Sequence, residues 1–174
     1  MALLEDNTIL LRALEPEDLD ALYAWENDSA LWRYGATLTP YSKFALREYI
    51  IHATQDLFQT HQLRLMIEEK ATGLAIGTID LYDFDPMNLR AGIGILLDAG
   101  SRMQGFGSQA LLLMKEYAFR FLLLNQLYAY VPQSNTPSYK LFRKSGYKES
   151  GLLRSWIKTE NGFIDAYFMQ LIHE

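Results

Sequence analysis

Seven residues between an apolar run and an amphipathic segment hold the most concentrated chemistry of the chain: Arg102-Met103-Gln104-Gly105-Phe106-Gly107-Ser108. A turn with two glycines lets backbone N–H groups converge on an anion, and the positive end of a following helix favours phosphate. The spacing is not a nucleotide-binding fingerprint of the usual kinds. No third glycine follows Gly107 by three residues, and no Gly-Lys-Ser/Thr is present. Taken locally, an ordinary tight strand-to-helix turn accounts for the same residues. His52, His61 and His173 are scattered without metal-ligand spacing, so no metal is expected.

Composition narrows the chemistry further. The 174 residues suit a single domain over 1–174. Apolar residues make up 49% and charged residues 21%, which predicts a folded chain. Sixteen Lys and Arg against 21 Asp and Glu give a formal charge of −5, without the basic footprint of nucleic-acid binding. There is no cysteine, which excludes disulfides, thiolate metal sites and a cysteine nucleophile. Met1-Ala2-Leu3-Leu4 meets Glu5-Asp6 at once, unlike a signal peptide, and no run of about 20 apolar residues offers a membrane span. A cytoplasmic protein without a membrane partner is the expectation.

The elements that must position the glycine turn follow from periodicity. Thr8–Leu14 is a short apolar run ended by Glu15-Pro16, after which Leu19, Leu22, Tyr23 and Trp25 recur at helical spacing. A second helix is predicted from about Tyr41, and Asn27–Pro40 reads as irregular. Leu63–Ile67 and Leu74–Leu81 predict a hairpin across Lys70-Ala71-Thr72-Gly73. In the strand Leu89–Leu97, Ala91, Ile93, Ile95 and Leu97 face one side. Gly92 and Gly94 leave the other side bare, as a close approach by ligand or backbone requires, or as sheet curvature does. Gln104–Leu123 predicts a long helix with a stripe of Ala110, Leu113, Met114, Tyr117 and Phe121. Leu127–Val131 predicts a strand, Asn135–Lys144 a helix closed by Gly146, and the C-terminus two strands around Asn161-Gly162. The order is β-α-α-β-β-β-α-β-α-β-β.

Arg102-x-x-Gly105-x-Gly107 after an apolar strand resembles the pyrophosphate loop of the GNAT superfamily of acyl-CoA-dependent N-acetyltransferases. Downstream, Asn135-x-x-Ser138-x-x-Leu141-Phe142-x-Lys144-x-Gly146-Tyr147 resembles that family's second cofactor helix. Arg90-Ala91, Ile93-Gly94, Glu116-Tyr117-Ala118-Phe119, Asp165 and Tyr167 add to the match, which runs from Thr8 to Leu171. It looks closest to the branch of ribosomal-protein N-terminal and spermidine acetyltransferases.

The resemblance implies an α/β (α+β) GNAT fold: a mixed, mostly antiparallel sheet, flanked by about four helices, whose fourth and fifth strands splay to admit acetyl-CoA. Ile95, Leu96 and Leu97 would pair with the pantetheine, and one of their N–H groups would polarise the thioester carbonyl. Arg102, Met103, Gln104, Gly105, Phe106, Gly107 and Ser108 would hold the pyrophosphate. Asn135 would bond the pantetheine arm, and Phe142 and Lys144 would line its far side. The cosubstrate would be acetyl-CoA, with no metal, and the acceptor a small-molecule amine or a protein N-terminus. A homodimer is compatible with the family.

The chemistry needs a neutral amine, a donor for the oxyanion and a proton for the departing thiolate. The family often supplies that proton from a tyrosine where this chain has Phe142. Ser138 is the first choice to replace it and Tyr139 the second; helix packing accounts for Ser138 equally well. The glutamate with which many relatives bind a water near the amine is matched by Gly92. Asp80, Asp83 and Asp85 read as a solvated strand end from which one carboxylate could reach the amine. Spermidine acetyltransferases carry glutamates in the loop after the first helix, where this chain reads Tyr34-Gly35-Ala36-Thr37-Leu38-Thr39-Pro40, so a polyamine is not expected. Trp32, Tyr34 and Tyr41 are candidates for an acceptor wall or for core. The alternative to an enzyme is a non-catalytic acyl-CoA-binding regulatory protein, motivated by Phe142 and Gly92.

Overall fold

Seven extended segments pair into one sheet, described for residues 3–32, 39–53 and 56–174 of a computed structural model. They are β1 (Ile9–Arg12), β2 (Leu63–Glu69), β3 (Leu74–Asp85), β4 (Arg90–Leu97), β5 (Gln126–Pro132), β6 (Lys148–Thr159) and β7 (Gly162–Ile172). The order is β1-β2-β3-β4-β5-β7-β6, and every neighbouring pair is antiparallel except β4 with β5. Helices α1 (Leu19–Glu26), α2 (Ser29–Trp32), α3 (Lys43–His52), α4 (Leu57–Thr60), α5 (Phe106–Glu116) and α6 (Thr136–Lys144) connect the strands. The mixed, mostly antiparallel sheet matches the expectation. The one-turn helices α2 and α4 are additional to the four expected, and α2 lies within the stretch that reads as irregular. Tyr34 lies outside the described residues.

Strand alternation gives the sheet two different faces. On one, Ile79, Leu81, Ala91, Ile93, Leu127 and Ala129 are buried together with Ala110, Leu111, Met114 and Phe142 of α5 and α6. On the other, α1 and α3 cover only the β1–β3 end, where Leu22, Leu46 and Ile50 pack on Met66. Each such leucine or isoleucine contributes about 1.5–3 kcal/mol by leaving water.

One expectation in the long helix is corrected. Its α-helical part starts at Phe106, and at Tyr117–Phe121 it widens into a π turn, with the Leu122 amide bonding the Tyr117 carbonyl at 3.1 Å. The i→i+5 spacing rotates the following side chains. Ala118 and Phe119 turn into the core, and Phe121, expected on the stripe, is 64% exposed.

Arg12, at the end of β1, holds the first helical segment against the sheet. Its guanidinium donates to both oxygens of Asp18, at 2.7 and 2.9 Å, and to Glu68 at 2.5 Å. Burial pushes the Asp18 carboxyl up, but hydrogen bonds from Arg12 and the Glu15 amide outweigh it and hold the group below its ordinary value. A carboxyl lowered by folding contributes stability above its unfolded pKa of about 3.9, and that contribution is lost as pH falls through the folded value. Asp18→Asn is therefore expected to lower Tm at neutral pH and to flatten the acid decline below about pH 4. Thermal unfolding of both proteins followed by circular dichroism across that range checks it.

Candidate active site

Strands β4 and β5 pair over three rungs only: Arg90 with Gln126, Ala91 with Leu127 and Gly92 with Tyr128. Past Gly92 they part, while β4 stays paired with β3 as far as Leu97 and β5 with β7 as far as Pro132. This is a wedge with its vertex at Gly92 and Tyr128, at the expected place. Residues 93–97 of β4 leave about 16 Å of strand edge, at 3.3 Å per residue, that has no strand partner on the β5 side among the described residues. Ile95, Leu96 and Leu97 lie on that edge, half-buried.

Parallel strands put their C-terminal ends together, so the helices that follow both start at the mouth of the wedge. Gly105 is the N-cap of α5 with φ +91°, and no side chain caps the first turn. The Phe106 and Gly107 N–H groups of that turn therefore have no N-cap side chain to accept from them. Nothing lies within 4 Å of where a Gly105 Cβ would stand. A Cβ on Gly107 would meet Leu141 at 3.1 Å and Leu97 at 3.4 Å, so this glycine lets α5 seat closely on β4 and α6. Arg102 donates from Nε to the Leu97 carbonyl at 3.0 Å, and Gln104 from Nε2 to the Gly100 carbonyl at 2.8 Å. These bonds tie the loop to the strand end. Met103, with φ +62°, is 98% exposed, and Ser108 is half-buried behind it.

The first turn of α6 is arranged differently. Asn135 Oδ1 accepts from the Ser138 amide at 3.2 Å, Pro137 stands in the first turn, and Arg143 and Lys144 sit in the last turn, at the negative end of the dipole. Gly146, at φ +91°, then reverses the chain. Ser138 is half-buried and Lys144 exposed. Tyr139 donates from its hydroxyl to Glu149 at 3.0 Å, and that bond raises its pKa. Phe142 is 3% exposed and meets the Tyr147 ring edge-on with centroids 5.0 Å apart.

Gly92 and Gly94 do not leave their side of β4 bare. The Tyr82 ring of β3 lies across them, and a Cβ on Gly92 would stand 2.2 Å from its Cε2. The Tyr82 hydroxyl meets the Tyr130 backbone, on β5 beyond the vertex. Burial, with help from Tyr128 and Tyr130, pushes its pKa up. Tyr82 therefore closes one side of the opening. Its importance is not visible in local sequence, because the missing side chain on β4 is replaced from another strand.

Beside this vertex, on the face opposite α5 and α6, a hollow of about 430 Å³ is lined by Asp83, Asp85, Arg90, Tyr128, Tyr130 and Phe168, with Gln126 and Gln170. The alternation of Tyr128 and Tyr130 with the buried Leu127, Ala129 and Val131 could have signalled such an aromatic face. Burial first, then Asp83, raises the Tyr128 hydroxyl to about 12. Asp85 is held low by Asn88 and pairs with Arg90 at 3.1 Å. Among the described residues no cation pairs with Asp83.

Asp80 departs from the expectation of a solvated strand end. It lies within β3, bonded at 2.6 Å to Arg64 Nε, and Arg64 also bonds Glu26 of α1 at 2.7 Å. Burial raises its carboxyl although Arg64 opposes the effect. The Tyr49 ring stands 5.6 Å from the guanidinium. Trp25 reaches Asp98 at 3.1 Å, and Trp32 donates to the Glu26 carbonyl at 2.8 Å. Tyr41 is 42% exposed. The histidines stay apart: His61 bonds the Phe84 carbonyl, His52 the Glu48 carbonyl, and the His173 ring lies tilted against Phe119.

Against this geometry, the family model described as acetyltransferase (GNAT) domain matches residues 8–148. The uncharacterized N-acetyltransferase p20 of Bacillus licheniformis is 33% identical over 173 residues, covering 99% of this chain and 97% of the relative. The spermidine N(1)-acetyltransferase of Escherichia coli (strain K12) is 26% identical over 152 residues, covering 84% and 76%. Among solved structures, spermidine N-acetyltransferase from Vibrio cholerae in complex with CoA and spermine has a TM-score of 0.83 at 23% identity, covering 96% of each chain. At that identity the likeness carries the fold.

Two substitutions probe the site's construction. Gly92→Ala is expected to displace the Tyr82 ring and to cost about 1–3 kcal/mol, as overpacking does, with most of the loss recovered when Tyr82→Leu is added. Arg64→Leu leaves Asp80 and Glu26 without their shared cation and is expected to cost about 3 kcal/mol. Urea unfolding of each variant measures both.

Proposed function

The chain belongs to the GNAT family of acetyltransferases, and on that footing we propose that it transfers the acetyl group of acetyl-CoA to a primary amine. The observation that carries this reading is the wedge with an uncapped helix N-terminus at its mouth. The diphosphate of the cosubstrate lies on the Phe106 and Gly107 N–H groups, in the loop Arg102–Ser108. The loop's backbone supplies the donors, so the chain's formal charge of −5 is no obstacle. The pantetheine extends along the open edge of β4, pairing with Ile95, Leu96 and Leu97 as an added strand would. Asn135 presents its amide NH2, since its Oδ1 caps α6. Phe142 and Lys144 flank the arm.

The acceptor enters from the opposite face through the hollow beside Gly92 and Tyr128. Asp83 attracts its ammonium form, and release of a proton to water leaves the neutral amine to attack the thioester carbonyl. An N–H group on the free edge of β4 stabilises the oxyanion. Metal plays no part in this scheme. Polyamines are the first compounds to try because of the E. coli relative, with protein N-terminal peptides and small primary amines beside them.

The test is incubation with acetyl-CoA and such a panel, following thiol release, together with calorimetry of CoA binding. Turnover on one class of amine is the expected result. CoA binding without turnover on any amine would favour a regulatory acyl-CoA-binding protein, and no binding would sink both readings. Gly105→Val forces a branched side chain into φ +91° and is expected to weaken CoA binding about tenfold or more, since a left-handed residue costs about 1–2 kcal/mol.

A further inference from the structure

A run of aromatic rings crosses the sheet face opposite α5 and α6 and belongs to neither of the two buried clusters. It passes from Tyr82 to Tyr128 with ring centroids 6.1 Å apart, then to Phe168 at 5.5 Å, Tyr130 at 5.4 Å and Trp156 at 5.9 Å. Strand alternation puts Tyr128, Tyr130 and Phe168 on one face, since Tyr130 pairs with Phe168 in the row next to Tyr128. Trp156 is added by an irregularity of β6, where the register shifts between Leu153 and Ile157 and the Ser155 amide donates to Asp165 at 2.8 Å. Trp156 is 54% and Tyr130 38% exposed, so ring surface stays open beside the hollow.

The carboxylate of the hollow is placed by a second bulge. Tyr82 pairs with Gly92 and Asp85 with Arg90, so β3 carries one residue more than β4 over this stretch. In an even strand Asp83 would follow Ile79 and Leu81 onto the core face. The extra residue, with Asp83 at φ +48°, buries Phe84 there instead and leaves Asp83 lining the hollow.

The charged groups that line the hollow are Asp83, Asp85 and Arg90, and Arg90 pairs with Asp85 at 3.1 Å. A single negative charge is left, on Asp83. Gln126 and Gln170 bond each other at 2.6 Å. A polyamine would bring several ammonium groups to this one carboxylate and lay the others over rings and amides. One ammonium on an aryl body matches both the charge and the wall. Asp83 stands beside the Gly92–Tyr128 rung, and Tyr130 and Phe168 lie one row nearer the mouth, about 7 Å along the strand. An ammonium and a ring joined through a short alkyl link span that distance.

Resting on the acetyl-transfer reading, we propose that the acceptor is an arylalkylamine, its primary ammonium held by Asp83 beside the vertex and its ring against Tyr130 and Phe168. After the ammonium gives a proton to water, its nitrogen bonds the acetyl carbon and the C–S bond breaks with its electron pair on sulfur. The nitrogen then sheds a second proton to water and the thiolate takes one up, so the products are an N-acetyl arylalkylamine and free CoA.

Thiol release by the full chain with acetyl-CoA tests this on 2-phenylethylamine, its saturated analogue 2-cyclohexylethylamine, butylamine, spermidine and an alanyl tripeptide. The kcat/KM for 2-phenylethylamine is expected to exceed those for butylamine, spermidine and the tripeptide about tenfold or more. It is expected to exceed that for 2-cyclohexylethylamine about threefold, because the saturated ring lacks the ring–ring attraction. Asp83→Asn, whose side chain tolerates the positive φ, is expected to raise KM for 2-phenylethylamine about tenfold at similar kcat, with CoA affinity by calorimetry unchanged. Tyr130→Leu is expected to abolish the preference over the saturated analogue. A preference for spermidine or the tripeptide, equal turnover of the two ring amines, or an Asp83→Asn protein with unchanged KM overturns the arylalkylamine assignment and leaves acetyl transfer standing. A protein that releases thiol with no amine overturns both.

Discussion

A β-sheet can open along its middle only if the backbone groups that lose their partners are supported in some other way. Here β4 and β5 part after Gly92 and Tyr128, and the surrounding residues answer that constraint. Tyr82 lays its ring over Gly92 and brings its hydroxyl to the Tyr130 backbone across the opening. Arg102 takes the Leu97 carbonyl at the far end. The outer partners β3 and β7 hold each half of the split sheet in place. What stays open is a strip of β4 edge, the feature a linear amide-bearing ligand can complete.

The parallel direction of the two strands has a second consequence. Each runs directly toward the mouth, so α5 and α6 both begin there, and their first turns are used differently. Asn135 satisfies an amide of α6 with its own side chain. Glycine at the N-cap of α5 has no side chain to do so, which leaves the positive end of that helix without a side-chain cap. Close seating of the two helices depends on Gly107, where any Cβ would crowd Leu97 and Leu141. The cap of α5 and its close packing are thus set by the same three residues, Gly105 to Gly107.

Charge is distributed by face rather than by total. Asp80 and Glu26 are absorbed by Arg64 at the covered end of the second face, and Asp18 and Glu68 by Arg12 beneath the first helices. At the hollow the balance differs: Arg90 answers Asp85, while Asp83 faces an aromatic wall of Tyr128, Tyr130 and Phe168. A formal charge of −5 over the chain therefore describes neither the mouth of the wedge nor the hollow beside its vertex.

The strands, the helices α5 and α6 and the glycine loop were legible in the residues, because alternation, caps and turn chemistry are local. The loop Arg102–Ser108 and the capped start at Asn135 stand where spacing predicts them. The widening at Tyr117–Phe121 was not legible, since the choice between α and π spacing depends on whether Phe119 or Phe121 finds room in the core. Asp80 reads as surface in sequence for the same kind of reason: its partner Arg64 is on a neighbouring strand and Glu26 on a distant helix. By itself the sequence determined the elements, the family resemblance and the absence of cysteine chemistry. Only tertiary structure decided that Tyr82 fills the space of Gly92 and that a hollow lies beside the vertex. Those facts are distances between strands far apart in sequence, fixed by register and packing rather than by any local pattern.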